Sequence, residues 1–240
     1  MKKLSSRAVA MITNGVLAVV LIVLGCVCFF PTSAHVSSEL EARVVRRGIS
    51  DDGVSLMFNV YWGTEEVDGI LTVLESYGAQ ATFFLGGSWA DDNADCVRRI
   101  AAAGHEIGSH GYFHRDHTSL GYDENVQEIA QSVQFLSLVS GRTVTLFAPP
   151  SGAYDENTVS AADALGLKTI LWSKDTIDWR DKDADTCFLR ATKDVEAGDL
   201  VLMHPMQHTL AALPRILERY REEGLRAVTV SENLGINQLT

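Results

Sequence analysis

The sequence predicts an α/β protein whose strands run parallel and whose sheet closes toward a barrel. Three observations carry that expectation. Short apolar runs of strand character recur along the chain, and segments of helical periodicity separate them, which favours crossover connections and parallel pairing over hairpins. No G-x-G-x-x-G loop follows the first run, which argues against an open dinucleotide-binding sheet.

Taken in order, the elements begin with Lys2, Lys3 and Arg7 ahead of a largely apolar run from Ala8 to Phe30. That run is long enough for one N-terminal transmembrane helix. The cations in front of it keep the N-terminus cytoplasmic and place the rest outside the membrane. Residues 1–30 are therefore expected to be a membrane anchor or signal segment, with secretion after cleavage near Thr32-Ser33-Ala34 as the alternative. The polar, mixed-charge residues 31–48 suit a stalk, and 49–240 a single domain. Within it, strands are expected at Val54–Val60, Ala81–Leu85, His105–Gly108, Thr143–Phe147, Thr169–Trp172, Leu200–His204 and Ala227–Val230. Helices are expected at Glu65–Tyr77, Ala90–Ala103, Glu124–Leu138, Glu156–Leu165, Asp183–Val195 and Leu210–Glu223.

Charge narrows the function. The first 30 residues hold three of the 20 Lys and Arg and none of the 31 Asp and Glu, so the remainder carries a formal net charge of −14. Such a field repels nucleic acid and anionic lipid headgroups, and no nucleic-acid partner is expected. Cys96 and Cys187 either pair in an oxidising space or stand as two buried thiols.

In a parallel architecture the active groups gather at the carboxyl ends of the strands. Those ends carry Asn59 and Glu65, Ser88-Trp89, His110 and His114, Pro149-Pro150-Ser151-Gly152, Asp175 with Asp178-Trp179, and His204. Two imidazoles four residues apart can converge on one divalent ion if the backbone turns both rings the same way. The remaining groups are those of a metal-dependent hydrolase: a further imidazole, carboxylates to orient it, and an aromatic wall.

In order and spacing these segments resemble the polysaccharide deacetylases of carbohydrate esterase family 4, from about Val54 to Gly235. His110 to His114 is similar to the family's H-[ST]-x-x-H, with Gly111 in place of Ser or Thr. Asp175-Thr176-Ile177-Asp178-Trp179 and Leu200-Val201-Leu202-Met203-His204 match its fourth and fifth motifs. The resemblance implies a deformed (β/α) barrel of about seven parallel strands and a divalent metal, usually zinc, held by His110 and His114. It implies His204 as general acid, Asp178 as its charge-stabilising partner, and Trp179 lining an acetate pocket, with Pro150 and Tyr61 beside it as further substrate contacts. The substrate implied is an N-acetylated glycan, peptidoglycan-like for a domain held outside a membrane.

The chain departs from the family at one place. Where T-F-D-D-G-P supplies a general base and a third metal ligand, the aligned residues read Met57-Phe58-Asn59-Val60-Tyr61-Trp62-Gly63, and the Arg that pairs with the base is replaced by Ala148. An amide has no useful basicity, and a buried Arg without its carboxylate would be an unpaired charge, so base and partner are lost together. The segment is closer to a sporulation-type F-D-x-x-W-G-x-E, which makes Glu65, or Glu66, a candidate replacement ligand or base; Glu65 also suits a first-turn helix acid. Asn59 would then bind metal, water or the substrate amide. Asp116 and His117 are nearby substitutes that equally suit a turn. Two outcomes remain: an amide hydrolase acting through His204, or a pseudoenzyme that binds N-acetylated glycan. Oligomeric state is not readable.

Overall fold

A computed structural model describes residues 7, 14–20 and 38–236. Residues 14–20 are helical. No helix among the described residues is long and apolar enough to cross a membrane, and most of the segment expected to span one lies outside them.

All seven expected strands are present, as β2 (Gly53–Val60), β3 (Thr82–Leu85), β4 (Glu106–Ser109), β5 (Leu146–Phe147), β6 (Lys168–Ile170), β8 (Leu200–Met203) and β9 (Arg226–Ala227). Two short ones join them, β1 (Val44–Val45) and β7 (Lys174–Asp175). The order is β1-β6-β5-β4-β3-β2-β8-β7, with β9 alongside the start of β2, and the paired ladders are parallel. Helices cross between the strands, so parallel pairing follows from the alternation. Residues 38–48, expected as a stalk, instead belong to the fold: Ser38–Ala42 is a helix, β1 pairs with β6, and Leu40 and Val44 are buried. The single helix expected over Ala90–Ala103 is two, Gly87–Asp92 and Ala94–Ala102, broken at Asn93, whose side chain donates to the Trp89 carbonyl.

The sheet is a parallel-strand half-barrel. β6 and β7 lie toward opposite ends of the strand path, yet only Leu171-Trp172-Ser173 joins them, a link that spans at most about 14 Å. The sheet must curl to bring its ends that close. The link is held on both sides, for Leu171 N–H donates to Val45 and Ser173 N–H to Leu200.

The two-residue period of the strands assigns the two faces. Outward residues such as Val54, Leu56, Phe58 and Val60 pack with the surrounding helices. Inward residues Met57, Phe84, Leu146, Ala148, Ile170 and Leu200 form a second core inside the curl. The helix Val230–Asn233 floors it at the amino ends of the strands: Val230 N–H donates to the Thr82 hydroxyl, Ser231 N–H to Glu106, and the Asn233 amide to Ser55. Continuing the inward rows toward the carboxyl ends passes from Met57 to Asn59, from Gly108 to His110, and from Leu200 through Leu202 to His204. The apolar plug gives way there to polar groups.

Candidate active site

A cavity of about 650 Å³ opens at the carboxyl ends of the strands, lined by Asn59, Trp62, His110, His114, Ser151, Trp172, Asp175, Trp179, Lys182, Leu202, His204 and Met206. Of the residues expected from the strand ends, Asn59, His110, His114, Ser151, Asp175, Trp179 and His204 share one chamber, with Asp178 bonded to His204 behind the wall.

The histidine pair sits on a loop, not a helix. Gly111 (φ 73°) and His114 (φ 54°) are both left-handed, and this folds the loop so that the two rings lie edge to face with centroids 5.0 Å apart. Glycine takes the first of these without strain; His114 adopts a conformation uncommon for a side-chain-bearing residue, as happens at functional sites. His110 is buried and its Nδ1 lies 2.7 Å from the Ala148 carbonyl. A carbonyl only accepts, so Nδ1 carries the proton and Nε2 keeps its lone pair, as a metal ligand requires. Burial first, then the neighbouring His114, pushes the His110 imidazole down to about 3, and burial lowers His114 as well. Both rings are neutral near pH 7, the form that coordinates.

Asn59 faces the same chamber, 6% exposed, and its Oδ1 has no hydrogen-bond partner. An orphaned buried amide oxygen beside two imidazoles is an acceptor that lacks a donor or a cation. Val60, aligned with the family's ligand Asp, points to the opposite face and is buried in the outer core. Ala148 is fully buried, and its carbonyl orients His110. That position retains a backbone task although no Arg side chain is present.

The opposite wall is densely bonded. Asp178 is 1% exposed and receives four hydrogen bonds: His204 Nδ1 at 2.7 Å and Trp179 N–H at 2.8 Å on Oδ1, and His204 N–H and the Thr209 hydroxyl, both at 2.7 Å, on Oδ2. Burial works to raise its carboxyl, but the His204 ring and backbone and the Thr209 hydroxyl outweigh it and hold Asp178 below the ordinary carboxylate value. Binding His204 through Nδ1 leaves Nε2 for the chamber, where it can give or take a proton. The short helix Asp178–Asp181 that carries Asp178 and Trp179 is bracketed by two left-handed residues, Ile177 (φ 49°) and Lys182 (φ 49°). A β-branched residue there is strained, and Ile177 N–H is pinned to Asp175 Oδ1 at 2.8 Å.

Three expected contacts are placed elsewhere. Glu65 is exposed and outside the chamber, and its carboxylate accepts Thr64 N–H at 2.9 Å. The bonds from its own N–H and then Thr64's hold it below the ordinary glutamate value. Gly63 (φ 70°) turns the chain so that Glu65 folds back on the loop, and no cluster of three or more His, Cys, Asp or Glu suited to a metal occurs among the described residues. Glu65 is therefore not brought to the histidine pair. Tyr61 stacks on the His114 ring at 4.4 Å and donates to the Phe113 carbonyl, backing the loop and not lining the chamber. Pro150 is buried, and its neighbour Ser151 (φ 57°) reaches the wall instead. Asp116 caps its own turn and His117 is buried behind the loop. Cys96 and Cys187 are both free and buried. Five lining residues, Trp62, Trp172, Lys182, Leu202 and Met206, are not among the site groups expected from the sequence. Trp172 ends the strand run Thr169–Trp172, so the strand-end rule points to it; Lys182 and Met206 carry no such signal.

Residues 47–170 match the polysaccharide deacetylase family model. A Bacillus subtilis (strain 168) protein of uncharacterised function is 30% identical over 201 residues, covering 83% of this chain and 63% of its own length. A peptidoglycan-N-acetylglucosamine deacetylase of Bacillus cereus is 33% identical over 172 residues, 69% of this chain and 80% of that protein. Among solved structures, a carbohydrate esterase family 4 pseudoenzyme from Bacillus anthracis superposes with a TM-score of 0.77 at 33% identity, covering 80% of this chain and 68% of that one. A mutant of that pseudoenzyme with restored enzymatic activity aligns with the same score. The chain spans less than two-thirds of the B. subtilis relative. The family match covers more than half of the chain, including the strands that carry Asn59 and the histidine pair, so the chain belongs to the polysaccharide deacetylase family.

Proposed function

We propose that this protein binds a divalent metal, zinc foremost, and removes N-acetyl groups from a cell-wall polysaccharide of peptidoglycan type, with His204 as the proton-transfer group. The observation that carries the reading is the His204–Asp178 pair: a buried carboxylate with four donors, two of them from His204, fixes an imidazole whose free nitrogen faces two further imidazoles across the chamber. Structural packing alone does not call for that orientation.

The residues present suit a metal. His110 has a free lone pair, His114 shares the chamber, and the Asn59 amide oxygen lacks any partner. Two nitrogens and a neutral oxygen make a weaker site than one closed by a carboxylate. When bound, such an ion polarises a carbonyl and lowers the pKa of water. His204 Nε2 then protonates the leaving amine while Asp178 holds the ring and stabilises its charged form. Asn59 cannot take a proton, so His204 must serve as base and acid in turn. Trp172 and Trp179 supply an aromatic wall beside the acetyl group. The N-terminal segment of the chain supports a location anchored at a membrane with this domain extracytoplasmic.

A second reading rests on the same chamber. Neither Asn59 nor Ala148 can carry charge, and a pseudoenzyme is among the similar structures; the protein would then bind N-acetylated glycan at the outer face of the membrane without hydrolysing it. One experiment separates the two. Purify the full chain, measure bound metal, and assay acetate release from peptidoglycan and N-acetylglucosamine oligomers beside His204→Ala. Acetate release at least about tenfold above the His204→Ala background establishes the enzyme. Glycan binding without acetate establishes the pseudoenzyme. Metal content unchanged in His110→Ala removes the metal site from either.

A further inference from the structure

The run Trp62-Gly63-Thr64-Glu65 is left without a part in the chemistry once Glu65 is excluded as a ligand. Its geometry has a single product. Gly63 is left-handed (φ 70°), a backbone conformation that favours glycine, and it turns the chain so that Glu65 folds back beside it. Glu65 Oε2 accepts Thr64 N–H at 2.9 Å, and Trp89 Nε1–H donates to the Gly63 carbonyl at 2.9 Å. These bonds fix the chain that follows Trp62 and hold its indole at the mouth of the chamber. The ring is 52% exposed and lies nearly parallel to His204 (9°, centroids 6.3 Å apart) and edge-on to His114 (6.4 Å). It therefore stands beside the proposed acid and a proposed metal ligand at once. Tyr61 is a third aromatic neighbour (6.5 Å, rings perpendicular), and the indole N–H of Trp62 bonds to no other described residue.

A large indole held half-exposed at the rim of a chamber presents an apolar surface that a ligand's apolar face can cover. We propose that Trp62 is a stacking platform for the pyranose ring that bears the N-acetyl group, and that Glu65 is its positioning residue and not a metal ligand. The apolar C–H face of a pyranose packs against the electron-rich face of an indole, and the free N–H is placed to bond a sugar hydroxyl. A sugar seated there presents its acetamido substituent between His114 and His204, into a chamber large enough for that group. The inference rests on the glycan reading above and adds to it the residue that holds the sugar.

The test is calorimetric titration of the full chain with an N-acetylglucosamine tetramer, with zinc content measured on each sample. Trp62→Ala is expected to bind about tenfold more weakly, a loss in line with that of one aromatic contact, and Trp62→Phe to recover part of it. Glu65→Ala is expected to weaken binding several-fold. Glu65→Gln keeps an acceptor for Thr64 N–H and restores most of the affinity, and zinc content stays at the wild-type level in both. Loss of zinc in both Glu65 variants would overturn its assignment as a positioning residue. If the wild type binds the tetramer and Trp62→Ala binds it equally well, the platform is wrong while the glycan reading stands. If the wild type binds no tetramer and no peptidoglycan fragment, both fall.

Discussion

The two walls of the chamber are built to different standards. At the ends of β7 and β8, Asp178 receives four hydrogen bonds and aims His204 inward. At the ends of β2 and β5, Asn59 Oδ1 has no partner and Ala148 offers only its backbone. Both walls come from inward rows of the same curled sheet, so the fold does not explain the difference. Charge does. A buried carboxylate is stable only when fully hydrogen-bonded, and the first wall meets that demand. On the second wall a lone base or a lone Arg would be an uncompensated charge, and the neutral pair avoids it. The wall that carries the proposed proton-transfer group is thus fully bonded, whereas Asn59 and Ala148 on the other wall carry no charge.

The most direct way to break this contrast is to restore the carboxylate. Asn59→Asp places an anionic oxygen where the orphaned amide oxygen stands. It is expected to raise zinc affinity at least about tenfold, because carboxylate is a regular zinc ligand, and to raise acetate release by about 100-fold, the lower range for a positioned general base. Zinc titration and acetate release from N-acetylglucosamine oligomers check both. A wild type already as active as Asn59→Asp would show that the second wall lacks nothing.

The reverse operation measures what the first wall contributes. Asp178→Ala leaves His204 N–H, Trp179 N–H and the Thr209 hydroxyl without their acceptor in a buried site, and is expected to cost about 3 kcal/mol. For a chain of this size that is a fall of roughly 8 °C in the midpoint of thermal unfolding. Asn59→Ala removes an oxygen with no partner and is expected to cost under about 1 kcal/mol. Equal losses in the two variants would erase the distinction between the walls.

Much of this contrast is legible in the sequence, because the two-residue period that makes Met57 inward also makes Asn59 inward, and the same holds for Leu202 and His204. Chemistry at strand ends follows from parallel topology, and that rule alone gathers Asn59, His110, His114 and His204 around one chamber. What escaped the sequence has local causes. The position of Glu65 depends on Gly63 being left-handed, and sequence spacing gives separation along the chain but not direction after such a turn. β1 and β7 are two residues each, too short for any periodicity, and exist because neighbouring strands hold them. Residues 38–48 are polar enough to pass for a stalk, yet Leu40 and Val44 find buried places against the sheet edge. Trp172 holds a strand-end position that points to the chamber, but as the last residue of an apolar run it has the character of a core residue.

Acid should distinguish the walls as well. Burial first, with help from His114, brings His110 down to about 3, and burial alone brings His105 to about 4, from an ordinary value of 6.5. Between those values and 6.5 the unfolded chain binds more protons than the folded one, so stability falls as pH falls through that window. For His110 the loss by pH 5 is about 2 kcal/mol. Asp178 works in a lower range. Its carboxyl is held below 3.8, so its contribution is present above that value and lost only as pH drops further. Thermal unfolding between pH 7 and 4 should therefore show a decline that His105→Gln and His110→Gln each reduce. Asp178→Asn should leave the slope of that decline unchanged.

The smallest expected effect concerns why the histidine loop carries glycine where the family has Ser or Thr. Gly111 has φ 73°, and a Cβ there would come within 3.0 Å of His117 Nε2. Gly111→Ala therefore meets both a backbone penalty and a close approach, for a cost of about 1 kcal/mol or somewhat more. His117 Nε2 is itself buried without a partner, its Nδ1 being held 2.5 Å from Asn125 Oδ1. Gly111→Ser meets the same backbone penalty but offers a hydroxyl beside that nitrogen, and one recovered hydrogen bond contributes about 1 kcal/mol. The serine variant should accordingly unfold at a higher temperature than the alanine variant, close to wild type. Should the two unfold together, His117 does not accept the hydroxyl, and the glycine is explained by backbone conformation alone.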